Sequence, residues 1–285
     1  MMDLDLFRRT IEQVSPLTEL VCLHLMGDPL VHPQFPEIVD ICDQYDANIF
    51  LVTNGVLMPD HLRKNLFDVL MHHRFHQINF SLHGFFDSFP DKDPNNYLER
   101  IFTFTEHAMK KRPNLYLNYR LWNLDNPLET HHVNAKRSNI DMLEPICRQF
   151  EFNLPSQLDV RRCKSVLIKG HLYLHFDTEF TWTDINLPVL GQVGSCYGLS
   201  SHFGVLVDGT LIPCCLDKKA SISLGNIREQ TIVDILASPR AQKMLQGFKE
   251  KQLLESLCQR CQYTERFDKK TLINDPGDRY PRTQQ

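Results

Sequence analysis

The stretch Leu20-Val-Cys-Leu-His-Leu-Met26, closed by Gly27-Asp28-Pro29, and its successor Ile49-Phe-Leu-Val-Thr53, closed by Asn54-Gly55, decide the fold. Each is a short apolar run ended by turn residues, as expected of a strand buried on both faces. Between them, Pro33 to Asp46 sets Phe35, Ile38, Val39 and Ile41 at helical spacing. The same unit recurs downstream. A helix from about Asp60 to Met71 leads to a strand Gln77–His83 stopped by Gly84, and a helix Asn96–Lys111 leads to a strand Asn114–Leu121. Upstream, Asp3 to Val14 carries Leu4, Phe7, Ile11 and Val14 on one helical face. A polar loop from Asn123 to Asn139 precedes a helix from Ile140 to about Glu151, and stranded or irregular sequence follows at Leu158–Ile168 and His171–Trp182. Strand and helix alternating at intervals of about thirty residues imply parallel strands joined by right-handed crossovers. Polar residues gather where these strands end: Asp28, Asn54, Ser81 with His83, and Arg120. Each alone reads as an ordinary strand-end residue, but four at one edge predict a binding cleft there.

The composition narrows the class. With 42% hydrophobic residues and 18 Phe, the 285-residue chain can bury a large core. A net charge of −4 gives no general nucleic-acid or anionic-membrane footprint, so neither partner is expected. The first residues, Met1-Met-Asp-Leu-Asp-Leu-Phe-Arg-Arg, lack the apolar core of a signal peptide. No apolar run is long enough for a membrane span. Nine cysteines without an export signal predict a reducing, cytoplasmic location and ligation in place of disulfides.

Four of those cysteines form a pattern. Cys196 stands apart, Cys214 follows the run Val205-Leu-Val-Asp208-Gly209-Thr-Leu-Ile, and Cys258-Gln-Arg-Cys261 closes the segment. Asp208-Gly209 predicts a two-residue hairpin turn, with Val207 facing Thr210 and Cys214 opposite Phe203. Cys214 and Cys215 are neighbours, which on a strand point to opposite faces, so one of them is a ligand, and Cys214 is chosen. Four such thiolates suit an iron–sulfur cluster or a structural zinc, against the plainer reading of four buried thiols. Buried thiol is the default for Cys22, Cys42, Cys147 and Cys163. Beyond the hairpin, Gly225-Asn226 is expected to turn the chain. Thr231 with Asp234 starts a short helix to Ala237, and Ser238-Pro239 starts another to about Phe248. The polar tail after Tyr263 reads as a loose extension.

His24-Leu-Met-Gly27-Asp28-Pro29, followed by Val52-Thr53-Asn54-Gly55, resembles radical SAM enzymes. There a Gly-Glu-Pro-type turn holds the amino group of S-adenosylmethionine, and Asp28 stands where Glu is usual. Ser81-Leu-His83-Gly84 is similar to the ribose-contacting Ser-x-Asp-Gly of that family, with His83 in the place of Asp, and Arg100 sits where relatives have a basic residue for the methionine carboxylate. The resemblance thus implies that Gly27, Asp28, Pro29, Asn54, Ser81 and Arg100 bind the cofactor. Cys196, Cys214, the turn Leu224-Gly225-Asn226-Ile227, Cys258 and Cys261 resemble the twitch or SPASM-type auxiliary domains, and the four cysteines match the shorter, twitch-like form with one auxiliary [4Fe-4S] cluster.

The fold class expected is α/β: a partial (β/α)6 TIM-like barrel lacking its first strand, with a small C-terminal α+β hairpin-and-helix cluster domain. The boundaries expected are 1–185, 186–263 and a tail 264–285. The family's CxxxCxxC, which holds a second [4Fe-4S] cluster, is not found in the chain, which begins at the helix expected after the first strand. The sequence reading is therefore an N-terminally truncated enzyme, inactive as given. In the complete enzyme a 5′-deoxyadenosyl radical would abstract hydrogen from a small-molecule or peptide substrate, with electrons from a flavodoxin or ferredoxin. The alternatives are a non-catalytic iron–sulfur or electron-transfer protein and a fold with a four-cysteine structural zinc.

Overall fold

The computed structural model describes residues 1–58, 64–121, 140–154, 164–177 and 181–264. The readings of the Asn123–Asn139 loop, of Cys163 and of the C-terminal tail lie outside these residues, as do the starts of the Asp60 helix and of the Leu158 segment. The chain divides into two units, Met1–Glu179 and Phe180–Gln285.

The first unit alternates helices and strands. Helix α1 (Leu4–Val14) starts where the Asp3 side chain accepts a 2.7 Å hydrogen bond from the Leu6 amide, and it buries Leu6, Phe7, Thr10, Ile11 and Val14. Strand β1 (Leu20–Cys22) is followed by α2 (Phe35–Gln44) and β2 (Asn48–Thr53). Then come α3 (Lys64–Leu70), β3 (Phe75–Ser81), the short α4 (Phe85–Ser88), α5 (Asn95–Lys111) and β4 (Tyr116–Leu121). Helix α6 (Ile140–Gln149) precedes a hairpin of β5 (Ser165–Lys169) and β6 (Leu172–Phe176). The six strands form one sheet in the order β1-β2-β3-β4-β6-β5, parallel except for β5. From β1 to β4 the order follows the chain, so crossovers of the usual right hand step the same way and lay their helices on one face, while β6 and β5 stand in reverse order at the far edge.

Burial alternates accordingly. Ile49 and Leu51 of β2, Ile78 and Phe80 of β3 and Tyr119 of β4 are fully buried. Phe80 lies 5.9 Å from Phe104 of α5, and the Tyr119 hydroxyl donates to Thr105 of α5 at 2.7 Å. The other face is polar. Register aligns Phe50, Gln77 and Tyr116 in one row, Val52, Asn79, Asn118 and Tyr173 in the next, and Ser81, Arg120, His175 and Ser165 at the C-terminal end.

The first strand is shorter than the Leu20–Met26 run suggests. Pairing with β2 continues only to a bond from the Leu23 amide to the Phe50 carbonyl, at 3.2 Å. Beyond it the chain bends into the turn at Gly27, whose φ of +119° only glycine adopts without strain. Among the described residues β1 pairs with β2 alone, and Cys22 is exposed. Amide hydrogen exchange at Leu20–Cys22 should therefore be markedly faster than at Ile49–Thr53, where β2 is bonded on both sides. Equal protection would mean that this edge is covered.

In the second unit β7 (Gly204–Val205), β8 (Thr210–Ile212) and β9 (Gly225–Asn226) form an antiparallel sheet, followed by α7 (Ile232–Ala237) and α8 (Pro239–Lys249). The hairpin differs from the expected one by one residue. Val205 pairs with Leu211, and the Leu206 amide bonds the Thr210 carbonyl at 2.9 Å. The loop is thus Val207-Asp208-Gly209, with Gly209 at φ +93°, a three-residue turn with glycine in the left-handed position. The Asp208 carboxylate accepts from the Thr210 amide at 2.9 Å, which favours this longer turn. Gly225-Asn226 is strand β9 and not itself the turn, which starts at Asn226 with its carbonyl accepting from Glu229 and Gln230. The Thr231 cap is as expected, its hydroxyl accepting from the Asp234 amide at 3.1 Å.

Candidate functional site

At the C-terminal edge of the first unit, Asp28 ties two strand ends together. Its Oδ1 accepts from the Leu30 amide at 3.0 Å. Its Oδ2 accepts from the Thr53 hydroxyl at 2.7 Å and from the Asn54 amide at 2.8 Å. The Tyr97 hydroxyl of α5 donates to the Asn54 carbonyl at 2.7 Å, and its ring stacks on Phe85 at 4.5 Å. Burial pushes the Tyr97 phenol well above its ordinary range, while the Arg100 charge opposes the shift and the Asp28 charge adds to it. Gly55 has φ +73°, and a Cβ there would stand 2.7 Å from the Ile101 Cδ1, so the chain passes close to α5 at this point. Gly27, Asp28, Pro29 and Asn54 are thus brought together. Arg100 is connected to them through Tyr97, with its Nε donating to the Asn96 carbonyl at 3.3 Å. Ser81 ends β3 in the row that contains Arg120, and His83 Nδ1 lies 3.1 Å from the Arg120 carbonyl. Thr53 and Tyr97 escaped sequence reasoning, although Thr53 directly precedes Asn54 and Tyr97 is one helical turn before Arg100.

Deeper on the polar face, the Arg120 guanidinium carbon lies 5.7 Å from the Phe50 ring centre, and His24 is 5.7 Å from the same ring. Burial, then the Arg120 charge, lowers both His24 and His175 from 6.5 to about 4. Both imidazoles are neutral in the native state, so each stabilises the fold fully above pH 6.5, and that contribution is lost as the pH falls towards 4. Urea unfolding should show lower stability at pH 5 than at pH 7, and His175→Gln should flatten that dependence. An unchanged slope in the variant would contradict the assignment.

Among the described residues, Asp43, His72 and His73 alone bring three metal-ligating atoms within 4.8 Å of one another. Arg74 already donates from Nε to the Asp43 carboxylate at 2.6 Å, so this group is an ion-pair knot fastening the start of β3 to α2.

In the second unit, loops bring Cys196, Cys214, Cys258 and Cys261 together. Asp217, buried, accepts from the Ser221 and Ile222 amides at 2.8 and 2.7 Å and folds the chain after Cys214. Cys258 opens a 3-10 turn, and the Cys261 amide returns to the Cys258 carbonyl at 3.2 Å. The Gly198 amide donates to the Cys196 sulfur at 3.3 Å, and a Cβ on Gly198 would meet the Pro213 carbonyl at 3.1 Å. Burial raises all four thiols, Cys214 to about 12, and the neighbouring cysteines raise Cys214, Cys258 and Cys261 further. Backbone at Leu216 and Tyr263 opposes the upward shift of Cys214 and Cys261, as the Gly198 amide does for Cys196. The two adjacent cysteines lie in the turn after β8, not on a strand, so alternation does not separate them. Cys215 is exposed, yet its thiol also feels Cys196, a fifth sulfur that the pattern had set aside.

A single tetrahedral zinc would require its sulfurs about 3.8 Å apart, from Zn–S bonds of about 2.3 Å. These thiols do not form a set of three within 4.8 Å. The donor set, soft and served by amide hydrogens, fits a polynuclear iron–sulfur group.

Residues 196–262 match the family model of the SPASM iron–sulfur cluster-binding domain. A comparison with curated proteins finds no match. The chain is similar in structure to BtrN in complex with AdoMet and 2-DOIA, with a TM-score of 0.51, 19% identity, and 92% of this chain and 80% of that one covered. It is similar to SuiB of Streptococcus suis, with a TM-score of 0.51, 13% identity, and 86% and 61% covered. It is also similar to anSMEcpe with bound AdoMet, with a TM-score of 0.50, 14% identity, and 91% and 76% covered. With its mostly parallel sheet and the cysteine segment, the chain has the fold of radical SAM enzymes and carries a SPASM-type iron–sulfur domain.

Proposed function

We propose that the chain is the S-adenosylmethionine-binding and auxiliary-cluster part of a radical oxidoreductase or peptide-modifying enzyme. In this reading the first unit is a partial barrel, and Gly27, Asp28, Pro29, Asn54, Ser81 and Arg100 line the S-adenosylmethionine site. Cys196, Cys214, Cys258 and Cys261 hold one [4Fe-4S] cluster. The observation that carries the reading is the convergence of these four thiols, one of them accepting from the Gly198 amide, inside a segment that matches the cluster-binding family. When bound, such a cluster supplies one-electron chemistry. The protein residues do the rest. The thiols must lose their protons to bind metal, so loading releases protons and weakens in acid. Asp28 fixes the edge on which the cofactor would lie, and Gly27 leaves open space above its backbone.

One observation favours a second reading. The nine cysteines of the 285 residues contain no CxxxCxxC, so these residues as they stand resemble a non-catalytic iron–sulfur protein. Two measurements decide. Anaerobically reconstituted protein should hold about four irons and four sulfides per chain, as four thiolates on one cubane require. About one zinc without sulfide would reject the cluster. With dithionite and S-adenosylmethionine, the same protein should release no 5′-deoxyadenosine; its appearance would reject the second reading.

A further inference from the structure

A run of hydrogen bonds joins the loop of Cys214 to the loop of Cys258. The Cys214 carbonyl accepts from the Asp217 amide at 3.2 Å. The buried Asp217 carboxylate accepts from the Ser221 and Ile222 amides. The carbonyl of the next residue, Ser223, accepts from Arg240 Nη1 at 2.9 Å. Arg240 also grips Glu255 with its fork, Nε to Oε1 at 2.8 Å and Nη2 to Oε2 at 2.9 Å. The Glu255 carbonyl in turn accepts from the Gln259 amide at 3.1 Å, inside Cys258-Gln-Arg-Cys261.

Two features set this fork apart from an ordinary surface ion pair. Arg240 is the second residue of α8, the positive end of the helix dipole, where a cation is disfavoured. Its partners hold it there, and the helix itself does not. Helix α8 packs Met244 and Phe248 into the small core against which Cys196 and Cys258 also lie, so the fork extends from an anchored helix. The second feature is charge. Glu255 stands three residues before Cys258, and its charge reaches that thiol. The guanidinium is bonded to that same carboxylate and also feels Asp217, three residues after Cys214.

We propose that Arg240 is the positioning and charge-balancing residue of the four-cysteine site, holding the loops of Cys214 and Cys258 in register and offsetting the Glu255 carboxylate beside Cys258. The inference rests on the proposed function in taking that site to hold an iron–sulfur cluster. The potential of such a cluster depends on the net charge around it. An uncompensated carboxylate disfavours an added electron, so losing the Arg240 charge lowers the potential and losing the Glu255 charge raises it. A half-exposed pair such as this contributes little to stability, so a purely structural role would leave the potential unmoved.

The test uses the full chain, reconstituted anaerobically, with its midpoint potential read by a redox titration followed by electron paramagnetic resonance. Loss of iron to a ferrous chelator is timed in parallel. Arg240→Gln should lower the potential and speed iron loss at least threefold. Glu255→Gln should raise the potential, and the double variant should return it close to the wild-type value. Arg240→Lys should keep the potential, because the charge stays, yet lose iron faster, because the fork is gone. The inference is overturned if Arg240→Gln keeps the wild-type potential or if Arg240→Lys shifts it as far as Arg240→Gln does. Should Arg240→Gln hold no iron, Glu255→Gln decides, and an unraised potential there overturns the charge-balancing role. Wild-type protein without iron would reject the proposed function itself. Wild-type protein with about four irons and variants that match it would reject this inference alone.

Discussion

Cys258→Ala should reduce the iron of the reconstituted protein from about four atoms per chain to nearly none, with parallel loss of sulfide. Burial first, and then Cys196, Cys214 and Cys261, push the Cys258 thiol up, so each of the other three acts on it. It also packs on the small core of Ile222, Met244, Phe248, Leu253 and Leu257, which leaves its sulfur little freedom to be replaced by water. Cys214→Ala should behave in the same way, because its thiol is pushed up by burial and by Cys196 and Cys261. Cys215→Ala should retain the iron, since the residue is exposed and, of the other three ligand candidates, its thiol is shifted by Cys196 alone. Iron analysis of the three variants decides. Equal retention by Cys214→Ala and Cys215→Ala would sink the ligand choice.

Asp28→Asn should weaken S-adenosylmethionine binding at least tenfold and lower stability by about 2 kcal/mol. The carboxylate faces donors on both sides, Leu30 at one oxygen and Thr53 with Asn54 at the other. An amide has one oxygen and one NH2, so either rotamer sets a donor against a donor. Leaving a buried or half-buried donor unpaired costs about 1–3 kcal/mol. Equilibrium dialysis with labelled S-adenosylmethionine reads the affinity, and urea unfolding reads the stability. A variant that binds as the wild type does would show that this turn only shapes the backbone.

The parallel order was legible because apolar runs such as Ile49–Thr53 end at turn residues and are followed by helical spacing. Element ends were less so. The Leu20–Met26 run is uniformly apolar, yet only its start is paired, because pairing depends on a neighbour that the run does not specify. The hairpin register shifted by one residue because Asp208-Gly209 also suits a three-residue loop, and the side-chain bond to Thr210 chooses between them. Asp28 and Asn54 were found as turn residues. Their bridge through Thr53, and the clamp from Tyr97, join segments far apart in sequence, and no local pattern encodes that. Arg120 was visible as a strand end, but its action on His24 and His175, from β4 to the end of β1 and to β6, depends on the tertiary fold.

The core of the second unit has a further consequence. Cys196 and Cys258 pack against Phe248 and its neighbours, so the same residues that would bind iron also close the apolar cluster. Oxygen damage at the metal would then register as loosened packing, not merely as lost colour. Exposed Lys219 and Lys249 lie between the thiols in sequence and offer trypsin its entry. Aerobic bleaching should therefore be followed by tryptic cleavage within 196–261.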